Sequence, residues 1–588
     1  MLCSRRINLS NLEFLALTKI DICTIMKNAF SQSIFNFYPS STGNRMKDAL
    51  LKIKQSKALE ILKRVLSNKY FPFATAFVTV LFYYLNLEII TIYYIAFTGA
   101  LAVLLLDDLT PLISNFLFMS IMISLKHSPT IFLVGEGNGS DYLAQPAILA
   151  QIIVLITLYA IAAITRVALT VKRKQFKITP VFWTLAAFGF VLILNGLFSD
   201  RYRALDLVYG FFLAFCFFGI FCVVKDNVSC TRETYRNLAF AFFVFSIALM
   251  FELVCKYLAG GIIKDGIIDR QQLAFGWGMY NNLALLMLLC VPSVMYLAGT
   301  EKYGYLYFIY SIFLSLGVIM TMSRQAWVAL IVIYLVSLVA LLLVGRNRLI
   351  NSIITGVTAL IFIILLATLK DKILLLLSGT PKSTGIKTIA VLIVGALYII
   401  AITVLNIMCK NKVVKYSITG GSVFLILLFA LIFYEKTYEL IMQFIASSNG
   451  RNILWEDAVN NFASAPVFGI GFYVNLNNDP GFAGIYIIPN MYHNTFFQLL
   501  AACGICGITA YLVHRVFTLI SFFKDMSLER SYIGLSILCI LITTLFDNHL
   551  FYILPTIIYS FLLAIMIKGQ KPDEKKQPES VLKPEQQN

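Results

Sequence analysis

The sequence predicts an all-α fold, a polytopic transmembrane helical bundle of about 12–16 spans with a long outer loop carrying short helices. Three observations predict it. The chain of 588 residues is 59% hydrophobic and only 13% charged, with a mean hydropathy of +0.82, whereas a soluble domain is about 25% charged. The apolar residues come in runs near ~20 long, the length that crosses a hydrocarbon core roughly 30 Å thick. Period-2 alternation, the mark of a membrane barrel, is absent, so these runs satisfy their backbone as helices.

From the amino terminus, residues 1–69 are mixed, basic and too polar for a signal-peptide core. Within them Asp48 to Leu66 sets apolar residues at helical spacing against a Lys/Arg-rich face. That pattern suits a helix lying on an anionic cytoplasmic membrane surface. Candidate spans follow near 70–86, 88–106, 109–126, 144–171, 179–198, 204–224, 237–257, 280–299, 304–322, 325–344, 349–368, 387–408, 416–434, 494–514, 531–547 and 549–567. No internal repeat is evident. The expected organisation is a basic amino-terminal region over 1–69, a first group of spans over 70–258 and a core over 259–515. Closing spans over 516–567 and a cytoplasmic tail over 568–588 complete it.

The formal net charge of +17 would suggest nucleic acid in a soluble protein. Here Lys and Arg sit in loops and tails, where they set topology, and no nucleic-acid partner is expected. With the amino terminus cytoplasmic and the spans alternating, about 33 of the 47 Lys and Arg fall inside. Both termini are then cytoplasmic. The outside loops are 127–143, 199–203, 258–279, 369–386 and the long 435–493, with Arg324 at an outer mouth. A loop as long as 435–493 is usually functional. In it Asn449 can cap a helix whose face carries Leu454, Trp455, Ala458, Val459 and Phe462, stopped by Pro466 and followed by a turn at Gly469-Ile-Gly471. The eleven Cys are scattered through apolar runs and read as small buried hydrophobes. Cys503-Gly-Ile-Cys506 lies in a membrane helix, where helix packing outweighs metal or redox chemistry.

Four basic groups stand apart on the outer side: Arg270, Arg324, Arg451 and His493. A single interfacial Arg more often snorkels or pairs with an acid. Two or three guanidinium forks gathered on the side depleted of positive charge suit a diphosphate. His493, in Asn490-Met-Tyr-His-Asn494, is a candidate base, against the blander role of a polar residue opening a helix. His549, in Asp547-Asn548-His549, is a second candidate. No HExxH-like spacing occurs and outside carboxylates are sparse, so neither a metal nor another cofactor is expected. Tyr473, Phe482, Tyr486 and Tyr492 can stack on sugars or form an interfacial belt. Trp455, one turn after Arg451, can hold its guanidinium by a cation–π contact.

These residues carry a resemblance. Arg270-Gln-Gln-Leu-Ala-Phe-Gly276 with Tyr280-Asn-Asn-Leu-Ala, Ser323-Arg324-Gln-Ala-Trp327, Gly450-Arg451-x-x-x-Trp455 with Pro466-Val-Phe-Gly-Ile-Gly471, and His493-Asn494-x-x-x-Gln498 with Gly504-Ile-Cys-Gly507 stand in this order. Together, over roughly 260–515, they resemble the O-antigen ligase / O-antigen polymerase superfamily of bacterial membrane glycosyltransferases. The Asn-Pro-Asn often seen in the first motif is Tyr280-Asn281-Asn282 here, after Met279. The resemblance implies a metal-independent, inverting glycosyltransferase at the outer face of a cytoplasmic membrane, serving surface polysaccharide biosynthesis. The donor would be a glycan on undecaprenyl diphosphate and the acceptor a glycan or lipid-glycan. It implies that Arg270, Arg324 and Arg451 hold the diphosphate, that His493 is catalytic, and that Trp455, Asn494 and Asn281 support them. A span count above that usual for ligases leans toward a polymerase. The alternative is a lipid-linked oligosaccharide flippase or other transporter, which would place ionisable groups mid-membrane and show repeated halves. A non-catalytic scaffold would not need Arg and His gathered outside.

Overall fold

The computed structural model describes residues 57–85, 88–124, 157–168, 178–258, 280–344, 451–472, 492–524 and 527–568, with the pieces 263–264, 267–268 and 273. Arg270, Tyr473, Phe482, Tyr486, the loops 127–143 and 369–386, the expected spans 349–368, 387–408 and 416–434, and the tail 569–588 lie outside the described residues. The chain divides into two units, Met1–Val65 and Leu66–Asn588.

The described residues form α1 (Lys57–Leu66), α2 (Phe71–Tyr84), α3 (Glu88–Leu105), α4 (Leu112–Ser124), α5 (Thr157–Ala168), α6 (Pro180–Ile193), α7 (Ala204–Lys225), α8 (Arg232–Leu258), α9 (Tyr280–Thr300), α10 (Gly304–Met320), α11 (Arg324–Val344), α12 (Arg451–Ser464), α13 (Thr495–Lys524), α14 (Leu528–Thr543) and α15 (Ile553–Lys568). A π turn at Phe215–Gly219 interrupts α7, and two-residue strands at Ile263–Lys264 and Ile267–Ile268 pair antiparallel. In the first unit, the α1 residue Arg64 pairs with Glu60 one turn away, both exposed. Among the described residues α7, α8, α9 and α13 are long and apolar enough to cross a membrane. The chain is thus an all-α, multi-pass membrane protein.

The core is built on α9, where every residue from Leu283 to Ala298 is buried, against α8, α10, α11 and α14. A helix apolar all round belongs in such a position. Pro292 inside it lacks an N–H and frees the Leu288 carbonyl. Cys539 Sγ meets that carbonyl at 3.5 Å, and Ser536 Oγ donates to Leu289 O at 3.1 Å. Membrane helices tolerate proline through such repairs by a neighbour.

The bundle has two chemically different ends. At one, Arg236 pairs with Glu301 at 2.6 Å and Lys568 donates to Asp226 O and Val228 O. At the other, Tyr257 OH donates to Met320 O, Thr495 N to Thr544 O, and Tyr209 OH to Phe551 O. Every described residue of the candidate site lies at this second end.

Two features depart from the sequence reading. The sequence places a helix end at 514, opening an inside loop over 514–530, yet α13 runs on to Lys524. Its polar pair is sheltered rather than solvated. His514 Nε2 lies 2.9 Å from Tyr559 OH, and Arg515 stacks on Tyr511 and Tyr559 while donating to Tyr559 OH. By sequence, mid-span charge is nearly absent and Arg166 is the one basic residue within a span; the structure adds a buried acid. Buried Glu252 lies within α8, and Arg166 is buried in α5, donating to Asn227 Oδ1 and Asp107 O.

Candidate active site

The site grows from a break in a helix. Gly504 sits inside α13 at φ 62° and ψ −156°, a region essentially restricted to glycine. The break frees the Ala501 and Ala502 carbonyls and the Ile505 and Cys506 N–H groups. The Pro466–Gly471 loop takes up all four. Ile470 N and Gly471 N donate to Ala501 O and Ala502 O, while Ile505 N and Cys506 N donate to Pro466 O and Val467 O. Contact is so close that a Cβ on Gly469 would lie 2.3 Å from the Ala502 carbonyl carbon. Phe472 N then donates to buried Asp206 Oδ1 at 2.6 Å, and Gly196 N to Phe468 O at 2.8 Å. Two motifs that stand apart in sequence are thus one clasp, fixing the helix that follows Tyr492 and His493.

On this base α12 packs over α13. Ala458 is buried and Leu454 packs against it, as expected, but Val459 is 46% exposed. Asn461 takes the inward place instead, donating to Asp457 Oδ2 and Tyr492 OH and accepting from Arg201. Tyr492 is buried in this cluster and so is not an exposed platform for sugars. Among the described residues no cation–π contact joins Arg451 to Trp455. Trp455 stacks on Phe497 at 5.2 Å and donates from Nε1 to Tyr492 O at 3.0 Å. Its work is to hold the backbone next to His493. The flat Phe497 ring, one helical turn into α13, offers a better face than a hydrated guanidinium.

The centre is a carboxylate that the sequence reading did not choose. Asp547 lies buried in the turn between α14 and α15. Its Oδ1 lies 3.1 Å from His493 Nδ1 and accepts from Asn548 N at 2.8 Å and Tyr552 OH at 3.3 Å. Its Oδ2 accepts from Asn281 Nδ2 at 3.1 Å, and Ser323 Oγ donates to Asn281 Oδ1 at 2.7 Å. Burial alone would push this carboxyl up. The hydrogen bond from His493, the flanking imidazoles and the Asn548 N–H outweigh burial and hold it well below the usual carboxylate range. Asp547 is therefore an anion that only accepts, so the tautomer facing it carries its proton on Nδ1 and leaves Nε2 with a lone pair. The His493 side chain is 24% exposed, open to a reactant.

The turn is gripped along its length. Asn494 caps α13 by accepting from Phe496 N and Phe497 N, while its Nδ2 donates to Leu545 O. Arg451 Nη1 donates to Phe546 O at 2.6 Å. Gln498 Oε1 accepts from both Tyr492 N and Asn548 Nδ2. His549 is fully buried behind the site with Nε2 4.0 Å from Asp547 Oδ2, and burial lowers its basicity despite the neighbouring carboxylate. Among the described residues three non-glycines have positive φ, and two of them, Met322 (58°) and His493 (50°), flank this centre. Such backbone strain concentrates at functional sites.

The structure therefore brings together His493, Asn494, Asn281, Trp455, Arg451 and His549, and places Arg324 beside them through Ser323. Arg324 opens α11 half-buried, and its Nε is buried with no hydrogen-bond partner. Asp547, Ser323, Gln498 and Tyr552 were missed as site residues. One signal was available: an acid between two apolar runs, two residues from a histidine.

Helices of membrane length surround a buried acid–histidine pair at one end of a multi-pass membrane protein. Residues 373–512 match the family model for O-antigen ligase, in the superfamily that the motifs resemble. No curated protein matches the chain.

Proposed function

We propose that the protein transfers or polymerises a glycan from undecaprenyl diphosphate at the outer face of the cytoplasmic membrane, with both termini cytoplasmic. The acceptor hydroxyl attacks the anomeric carbon as the bond to the diphosphate oxygen breaks, inverting the centre. The hydroxyl proton passes to His493 Nε2, and the electron pair of the broken bond leaves with the diphosphate. Guanidinium groups at Arg324 and Arg270 neutralise that leaving group as charge develops, so no metal is needed. Arg451 contributes its remaining donors, since Nη1 is committed to Phe546 O. The observation that carries the reading is the His493–Asp547 pair: a buried anion sets the tautomer and stabilises the imidazolium formed when the proton arrives.

The test is transfer by purified protein given a lipid-diphosphate glycan and an acceptor. His493→Ala and His493→Gln should lose about a hundredfold or more, the scale of a general base, while donor accumulates in cells. A well-folded His493→Gln protein with near-normal turnover ends the reading.

A further inference from the structure

We infer that Asn281 and Ser323 are positioning residues, forming a hydrogen-bonded chain from the Arg324 turn to the carboxylate behind His493. The inference rests on the proposed role of His493 as base. The chain has one polarity. Ser323 Oγ donates to Asn281 Oδ1, Asn281 Nδ2 donates to Asp547 Oδ2, and Asp547 Oδ1 faces His493 Nδ1. Turning the Asn281 amide over would set its oxygen against a carboxylate oxygen, so the order is fixed by charge. Ser323 and Asn281 are buried, which shields these bonds from solvent. The links come from α9, the turn before α11 and the turn before α15, so one chain ties three elements that are distant in sequence.

Two consequences follow. With Oδ2 held by Asn281 and Oδ1 shared among His493, Asn548 and Tyr552, the carboxylate cannot rotate, and the ring it orients keeps one pose. Asn281 also draws negative charge from Asp547, so losing that bond leaves the carboxylate a stronger acceptor. Ser323 immediately precedes Arg324 and follows strained Met322. A shift of the Arg324 turn therefore moves the partner of Asn281 directly.

The titratable and charged groups facing the pair are His549 on the same turn, Tyr552 before α15 and Arg451 on α12. All stay in place in the variants, so the acid limb of kcat/KM against pH isolates the chain. Asn281→Leu is nearly isosteric and removes the donor. Asp547 then keeps its full charge, imidazolium is favoured, and the acid limb should move to higher pH by about half to one unit. Ser323→Ala removes a single oxygen and should move the limb the same way by less. A merely structural role would lower the amplitude and leave the limb where it is. The inference is overturned if either variant, melting as the wild type does, shows an unmoved limb while His493→Gln is inactive. If His493→Gln is active, it is the proposed base that falls. Should Asn281→Leu fail to fold, Ser323→Ala decides alone.

Discussion

Replacing Asp547 by Asn tests the centre of the site with almost no change of shape. The carboxylate receives bonds from Asn548 N at 2.8 Å, Asn281 Nδ2 at 3.1 Å and Tyr552 OH at 3.3 Å, and faces His493 Nδ1 at 3.1 Å. An amide offers one acceptor and one donor. If its oxygen keeps His493 and Asn548, its NH₂ points at the NH₂ of Asn281. If it turns over, the NH₂ faces His493 Nδ1, forces the proton to Nε2 and removes the base. Both poses lose a bond to a charged acceptor, about 1.5–3 kcal/mol, and the second abolishes the working tautomer. Turnover should fall by roughly a hundredfold to ten-thousandfold. Stability responds in a defined direction. The folded carboxyl lies below its unfolded value near ~3.9, so the charge stabilises the protein above that pH, and the contribution is lost as pH falls through the folded value. The gap between wild type and variant should thus be full at neutral pH and close in acid. Transfer assays and melting against pH measure both. A folded Asp547→Asn protein with wild-type turnover would refute the tautomer argument.

Arg324→Lys should impair transfer nearly as much as Arg324→Ala, because a point charge cannot replace a planar fork on a diphosphate; full activity in a donor-binding and turnover assay would reduce the residue to a generic charge. Gly504→Ala should destabilise by roughly 2–6 kcal/mol, since its Cβ would lie 2.5 Å from Pro466 O at a φ only glycine favours, and a normal melting temperature would show that the clasp can yield. In a Cys-free background, a cysteine at position 477 should react with an impermeant reagent from outside the cell, and labelling from the inside alone would reverse the proposed topology.

The helical class was legible because the bilayer imposes one length and one secondary structure on apolar segments. The expected starts of α7, α9 and α10 match the structure within a residue. The end of α13 was not legible. His514 and Arg515 look like a loop to any hydropathy count, and only Tyr559 and Tyr511, on the far side of a packed interface and one turn back, make them tolerable inside. The site was legible as separate motifs, because Arg, His and glycine are unusual on the outer side. Their assembly was not. Nothing in the order of residues reveals that Ala501 and Ala502 expose their carbonyls to the Pro466–Gly471 loop, since the break that frees them is a backbone angle at Gly504. Val459 and Asn461 exchanged places for a similar reason. The polar partners Asp457 and Tyr492 make an inward asparagine cheaper than periodicity alone suggests.

The motif residues divide by what they touch. Asn494, Trp455, the Gln498 carbonyl oxygen and one nitrogen of Arg451 spend their polarity on backbone or side chains within the site, so these bonds are in place before a substrate arrives. Arg324 keeps a buried Nε without a partner, and His493 keeps Nε2 beside an open face. Unsatisfied groups inside a packed membrane protein are costly unless something completes them. In the proposed reading these two groups are a fork suited to a diphosphate and a base suited to a hydroxyl, and the turn that carries Arg324 is joined to His493 through Ser323, Asn281 and Asp547. A ligand that completes only one of them would leave the other's polarity unspent. On the proposed function, the arrangement favours the state in which donor and acceptor are present together, as glycosyl transfer to a hydroxyl rather than to water demands.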